Sequence, residues 1–255
     1  MKMKPALHIT ALPVAVCAIM PFAGNAAAQS DWEFQITPYV WMSGLDGKVG
    51  TIPGLPAASV DLSFGDILDN LDFAGMVFAT ARHDPWVLHL DANYVKTTTS
   101  KAVGGILIDN VKLTSQTTTL SMGVGYALAT SDKGSFEAYL GARAWWLDNQ
   151  FTLTTARAGN TFNRTETESW VDPLIGVSGY FDLSEKWRLF GLAEIGGFGA
   201  GAEIEWGAFA GVTYAINKNV GLNLAWRHQY VDYDSNGIVF NATQSGPAIG
   251  VTFGF

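Results

Sequence analysis

Trp86-Val87-Leu88-His89-Leu90-Asp91-Ala92-Asn93-Tyr94 is apolar at every second position and carries His89, Asp91 and Asn93 at the positions between. Side chains alternate across a β-strand, so this stretch presents a greasy face of Trp86, Leu88, Leu90, Ala92 and Tyr94 and a polar face opposite. About 9–11 residues suffice to carry a tilted strand across a bilayer. The same pattern returns downstream. Leu120, Met122, Val124, Tyr126 and Leu128 alternate with Thr119, Ser121, Gly123 and Gly125. Ala138, Leu140, Ala142 and Ala144 alternate with Glu137, Tyr139 and Arg143, and Val220, Leu222, Leu224 and Trp226 oppose Asn223, Arg227 and Gln229. A strand that is apolar outside and polar inside suits a closed barrel in lipid, where every peptide group must find a partner within the sheet.

Ten such segments follow one another at about 31–43, 72–82, 86–96, 112–128, 135–150, 169–181, 187–198, 204–216, 219–233 and 245–255. Asp72 to Arg82 is too uniformly apolar to assign its faces. Short turns of Asp, Asn, Ser, Gly and Pro alternate with links at 44–71, 97–111, 151–168, 199–203 and 234–244. Four short turns on one side and five links on the other fit an even, antiparallel, up-and-down barrel with both chain ends on the periplasmic side. About ten strands are expected, with eight or twelve as the alternatives.

Aromatic residues gather at strand ends. Trp32, Phe34, Trp86, Tyr126, Phe136, Phe181, Trp187 and Tyr214 lie beside the turns, and Trp41, Tyr94, Trp146, Trp170, Trp206 and Trp226 lie at the other ends. Amphipathic rings settle at headgroup depth, so these are expected to form two girdles.

The N-terminus places this domain in an export pathway. Lys2 and Lys4 precede an apolar run from Pro5 to Ala23, which ends at Asn25-Ala26-Ala27-Ala28. That is the pattern of a signal peptide over 1–28, leaving a barrel domain over 29–255. The single cysteine, Cys17, falls in the leader, so no disulfide is expected in the mature chain. Lys2 and Lys4 are the only charged side chains lost with the leader, so the mature protein is more acidic than the −8 of the whole chain. Such a balance argues against nucleic acid as a partner.

Arg or Lys on the lipid face costs roughly 2–4 kcal/mol at the midplane. Arg143 and Arg227 are therefore expected inside, facing Asp91, Glu137, Asp172 and Glu194 in a polar lumen cluster. Ten strands lie close to the eight-stranded limit at which side chains fill the interior, which favours a plug over an open pore. In the first link, Ser63 is placed to cap a short helix carrying Phe64, Ile67, Leu68 and Leu71 on one face.

A search for catalysis finds only His83, His89 and His228 after the leader. No local motif brings Ser or paired Asp beside His228, and no His, Asp or Glu spacing resembles a metal site. Neither an enzyme nor a cofactor is expected.

Ile249, Val251, Phe253 and the terminal Phe255 share one face of the last strand, with Gly250, Thr252 and Gly254 on the other. This ending resembles the signal read by the barrel-assembly machinery. Weak motifs extend the likeness over the mature chain: Trp32-x-Phe34 with Thr37-Pro38-Tyr39-x-Trp41, Ser43-Gly44-x-x-Gly47, Val60-Asp61-Leu62-Ser63-Phe64, and Asp172-Pro173-Leu174-Ile175-Gly176. Gly196-Gly197-Phe198-Gly199 and Gly246-Pro247-x-x-Gly250-x-x-Phe253-x-Phe255 complete the set. Together they resemble a family of largely uncharacterised, porin-like outer-membrane β-barrel proteins of proteobacteria. The ninth strand departs from that family's pattern at Ala225-Trp226-Arg227-His228.

The resemblance implies an outer-membrane location, with lipid and the assembly machinery as partners, and brings no substrate. The expected function is a porin-like barrel with a narrow or occluded lumen, serving passive permeability for a small solute or envelope structure. The alternative is a surface module that binds an extracellular ligand through its loops, above all Gly44 to Leu71. A lipid-modifying enzyme or protease ranks third.

Overall fold

The computed structural model describes residues 32–51, 56–102, 108–156 and 159–255. The expected signal peptide over 1–28, with Cys17, lies outside the described residues. The chain opens with β1 (Glu33–Trp41), β2 (Gly44–Gly50), β3 (Ala58–Leu62) and α1 (Phe64–Asp69). There follow β4 (Leu71–His83), β5 (Trp86–Ala102), β6 (Ile108–Ser131), β7 (Gly134–Thr155) and β8 (Thr161–Asp182). The last four are β9 (Trp187–Gly196), β10 (Ile204–Ala215), β11 (Val220–Ser235) and β12 (Ile238–Gly254).

Every neighbouring pair is antiparallel, and β1 pairs with both β4 and β12, closing a barrel of ten strands, β1 and β4 to β12. Closure leaves no open edge facing hydrocarbon. β2 and β3 are additional to the barrel: Gly44–Gly50 continues along β12 opposite Ser245–Val239, and β3 returns beside it. The first link thus extends the wall instead of folding over the mouth. Its bend depends on Gly246, where an added Cβ would lie 2.1 Å from the Met42 carbonyl oxygen. α1 forms where Ser63 predicts it, with the Ser63 hydroxyl accepting the Asp66 N–H and the Asp66 carboxylate accepting the Ser63 N–H in return.

The expected faces emerge strand by strand. Leu88, Met122, Val124, Leu140, Leu222, Leu224 and Trp226 are exposed on the outer wall, while Asp91, Ser121, Glu137, Tyr139, Arg143, Asn223 and Arg227 are buried inside. β4, unassignable by pattern, turns Phe78, Thr80 and Arg82 inward.

Two expectations need correction. The links at 97–111, 151–168 and 234–244 are mostly paired strand: β6 runs 24 residues and β7 and β8 each 22. At about 3.3 Å per residue, half of such a strand stands clear of a hydrocarbon layer about 30 Å thick. Thr-rich stretches such as Thr97–Ser100 and Thr114–Thr119 are polar enough to read as loop, yet Thr is β-branched and pairs well.

The second correction concerns the girdles. Trp41 and Trp170 are buried inside the barrel, not at the outer interface. They share parity with Tyr39 and Asp172, and the pleat overrides their position near a strand end. Trp206 and Trp226 do face outward at the loop end. At the turn end, Trp86 packs on Tyr126 at 5.2 Å and Trp187 on Tyr214 at 5.0 Å.

Candidate functional site in the barrel lumen

Inward parity delivers charge from seven different strands, β4, β5 and β7 to β11, into the lumen of a ten-stranded barrel, and the charges sort into levels. Nearest the turns, Arg82 pairs with Glu137, which also accepts the hydroxyls of Ser135 at 3.0 Å and Ser178 at 2.8 Å. The next level joins Arg227 to Asp91 at 2.6 Å and to the Tyr39 hydroxyl, which itself donates to Asp91 at 2.8 Å. The same guanidinium sits 4.8 Å above the Trp41 ring.

Alongside, Arg143 donates to Ser121 at 2.8 Å and to Glu194, while its remaining nitrogen lies 3.4 Å from Glu205. Tyr139 donates to Glu194 at 2.7 Å. A charge taken from water is tolerated only with a partner, and each guanidinium has a carboxylate beside it, although Arg143 Nη1 makes no hydrogen bond and meets Glu205 only as an ion pair. The arrangement is a fixed lattice of ion pairs.

Towards the loops the lumen changes character. Tyr233 stacks on Trp170 at 3.9 Å, and Trp170 stacks on Trp145 at 5.4 Å, forming a column from the β11 wall to the β7–β8 wall. Leu147, Val231, Ile238 and Phe240 pack around it. The indole N–H groups are satisfied by carboxylates, Trp145 by Glu205 at 3.1 Å and Trp170 by Asp172 at 2.7 Å.

β9 and β10 are the short strands of this side, and the link between them tucks inward to fill the notch. Gly197, Phe198 and Gly199 all have positive φ, and the fully buried Ala202 donates its N–H to Asp172 at 2.8 Å. From the opposite wall, Tyr233 and Asn236 of the β11–β12 hairpin both donate to Glu168 of β8.

Of the six expected cluster residues, Asp91 and Arg227 meet each other, Arg143 meets Glu194, and Glu137 binds Arg82. Asp172 stands apart from the arginines and instead holds Trp170 and the inserted link. Pattern reading missed Glu205 and Arg82. The signal for Glu205 was available, because Trp206 faces outward and the residue before it must face in. Arg82 ends the strand whose parity was illegible.

Ile249 and Phe253 are exposed on the outer wall, and Phe255 lies at the turn end, its N–H donating to the Phe34 carbonyl at 2.9 Å.

Among the described residues, His89 lies near a serine, with its Nε2 3.4 Å from Ser178 and 3.7 Å from Glu137. The Ser178 hydroxyl lies between His89 (3.4 Å) and Glu137 (2.8 Å), so its proton goes to the carboxylate. His228 stacks on Trp206 at 4.7 Å, and His83 packs 5.1 Å from Trp32.

Free space follows the same levels. A cavity of about 30 Å³ remains beside Asp91, Tyr139, Arg143 and Arg227. A far larger one, about 840 Å³, occupies the turn half of the barrel.

A scan against protein-family models and a search of curated proteins return no match. Solved structures do resemble the chain. The outer-membrane protease OmpT of Escherichia coli matches at 9% identity and TM-score 0.50, over 88% of this chain and 96% of that one. Neisserial surface protein A matches at 17% identity and TM-score 0.32, over 89% and 98%. Ail of Yersinia pestis matches at 10% identity and TM-score 0.39, over 89% and 100%. At such identities only architecture is shared, and the likeness to OmpT, together with the closed ten-stranded sheet, makes this chain a barrel of the outer-membrane type.

Proposed function

We propose that the mature chain is an integral outer-membrane barrel, porin-like in its wall but with an occluded lumen, whose contribution is to envelope structure more than to passive permeability. Its termini and short turns face the periplasm and its long hairpins face outward, as in other bacterial barrels. Export by residues 1–28 and delivery to the assembly machinery through Ile249, Val251, Phe253 and Phe255 belong to this reading. Deleting Phe255 is then expected to leave unassembled protein in the periplasm, and normal membrane levels of the truncated chain would count against the assembly role.

One observation carries the occlusion. The Tyr233–Trp170–Trp145 column reaches from β11 to the β7–β8 wall above the ion-pair level, beside which lies a cavity of about 30 Å³. The purified barrel in a planar bilayer is expected to show no steady current. An ohmic conductance from the unaltered protein would overturn the reading in favour of a pore.

The strand extensions favour a second reading, a surface binding module. Residues beyond the rim in β5 to β8 offer a polar, Thr-rich wall to an extracellular ligand, which makes that wall a better candidate than Gly44 to Leu71. Silence in the bilayer, with binding to cells or matrix lost on shortening the β7–β8 hairpin, would select it.

A further inference from the structure

Occlusion accounts for the loop half of the barrel and leaves the turn half unexplained. A barrel built only for stiffness gains by filling its interior, as the loop half does with packed rings. The turn half keeps a cavity of about 840 Å³, a size that falls within the range of small-molecule sites, about 300–1,000 Å³.

Its floor is aromatic. Phe209 lies 5.6 Å from Phe190, 6.5 Å from Phe78 and 6.0 Å from Tyr39, and all four rings line the space. Water over such a floor gains little from it and is readily displaced by an apolar group.

The mouth is polar and differently charged from the rest of the chain. Arg188 is bound by Asp182 at 2.6 Å, and Lys133, Lys186, Lys218, Glu33 and Glu185 line the same opening. Against a chain of net charge −8, this rim carries a small positive excess.

We infer that the turn-half cavity is a binding site for a small amphipathic acid, an aryl or alkyl carboxylate, with its apolar part on Phe78, Phe190 and Phe209 and its carboxylate towards the lysines of the mouth. The side from which the ligand arrives rests on the membrane orientation proposed above, whereas the binding itself does not. A conducting barrel could still hold the ligand, and a silent one could fail to.

The test is fluorine NMR of 4-fluorobenzoate titrated into the purified mature barrel in detergent, with empty micelles as the reference. Saturable broadening beyond that of the micelles is expected. It should weaken at least tenfold in Phe209→Ala, which removes the floor, and in Thr80→Trp, which fills the cavity from its wall. Heat-modifiable electrophoretic mobility verifies that each variant is folded, and Phe162→Ala on the outer hairpin should bind as the parent does.

4-Fluorobenzylamine, with the opposite charge, should bind at least tenfold more weakly. The inference is overturned if no saturable component appears, if folded Thr80→Trp binds like the parent, or if the amine binds as tightly as the acid.

Discussion

Arg143 shows how much depends on one side chain. It is buried between Glu194 and Glu205, in a lumen where Asp91, Glu137, Asp172, Glu194 and Glu205 outnumber Arg82, Arg143 and Arg227. Removing one partner of a buried pair leaves an uncompensated charge, at a cost of roughly 3–5 kcal/mol. Arg143→Met is therefore expected to lower the stability of the folded barrel by about that amount, read from reversible urea unfolding in lipid vesicles. Glu205→Gln removes a carboxylate from the acidic surplus and should cost under about 1 kcal/mol, since the amide can still accept from Trp145. At the rim, the Ser63 hydroxyl and N–H hold the Asp66 carboxyl below the ordinary aspartate range. Because folding lowers this pKa, the cap contributes fully at neutral pH, and its contribution fades as pH falls through the lowered value. Ser63→Ala should raise the Asp66 titration midpoint towards that of a free aspartate, measured by carbon-13 NMR of the side-chain carboxyl.

The β11–β12 hairpin shows how a link becomes an element. Asn236 and Gly237 have φ of 54° and 78°, the left-handed pair that a tight hairpin turn requires. This dipeptide stands at the head of the segment first read as a loop over 234–244, and the turn chemistry was the better guide there. The hairpin matters because it carries Tyr233 and Asn236 to Glu168 across the mouth. A β-branched residue at a left-handed position costs of order 1–3 kcal/mol, so Gly237→Val should raise hydrogen exchange of the amides over 238–244 while leaving β5 to β8 protected. The glycines of the scattered motifs gain a reason at the same scale. An added Cβ at Gly250 would lie 2.9 Å from the Tyr39 Cβ, and one at Gly196 would lie 2.4 Å from Leu174. Motifs distant along the chain, Thr37-Pro38-Tyr39 with Gly250 and Asp172-Pro173 with Gly196-Gly197, are thus contacts between neighbouring walls.

For the whole molecule the decisive property is the asymmetry between two halves of one lumen. The loop half is packed with stacked aromatic rings, each such contact worth about 0.5–1.5 kcal/mol beyond the area it buries. The turn half is a cup. Trp145→Ala combined with Trp170→Ala removes the middle of the column and is expected to convert a silent barrel into one with brief or steady openings in planar bilayers. Continued silence from a folded double variant would place the barrier at the ion-pair level instead. Asp172→Ala, which frees Ala202 and the inserted link, should raise hydrogen exchange over 197–203.

The alternation from Asp31 onward, the tight turns and the terminal apolar stripe were enough to establish a closed antiparallel barrel and the inward direction of Arg143 and Arg227, because parity is a local property of the pleat and charge cannot face hydrocarbon. Which charges meet, where Trp41 and Trp170 go, and that one half of the lumen is filled while the other is hollow were decided only by the closed sheet. Those outcomes depend on the stagger between strands, such as Tyr39 reaching Asp91 and Tyr233 reaching Trp170, and stagger is set by the pairing of all ten strands together.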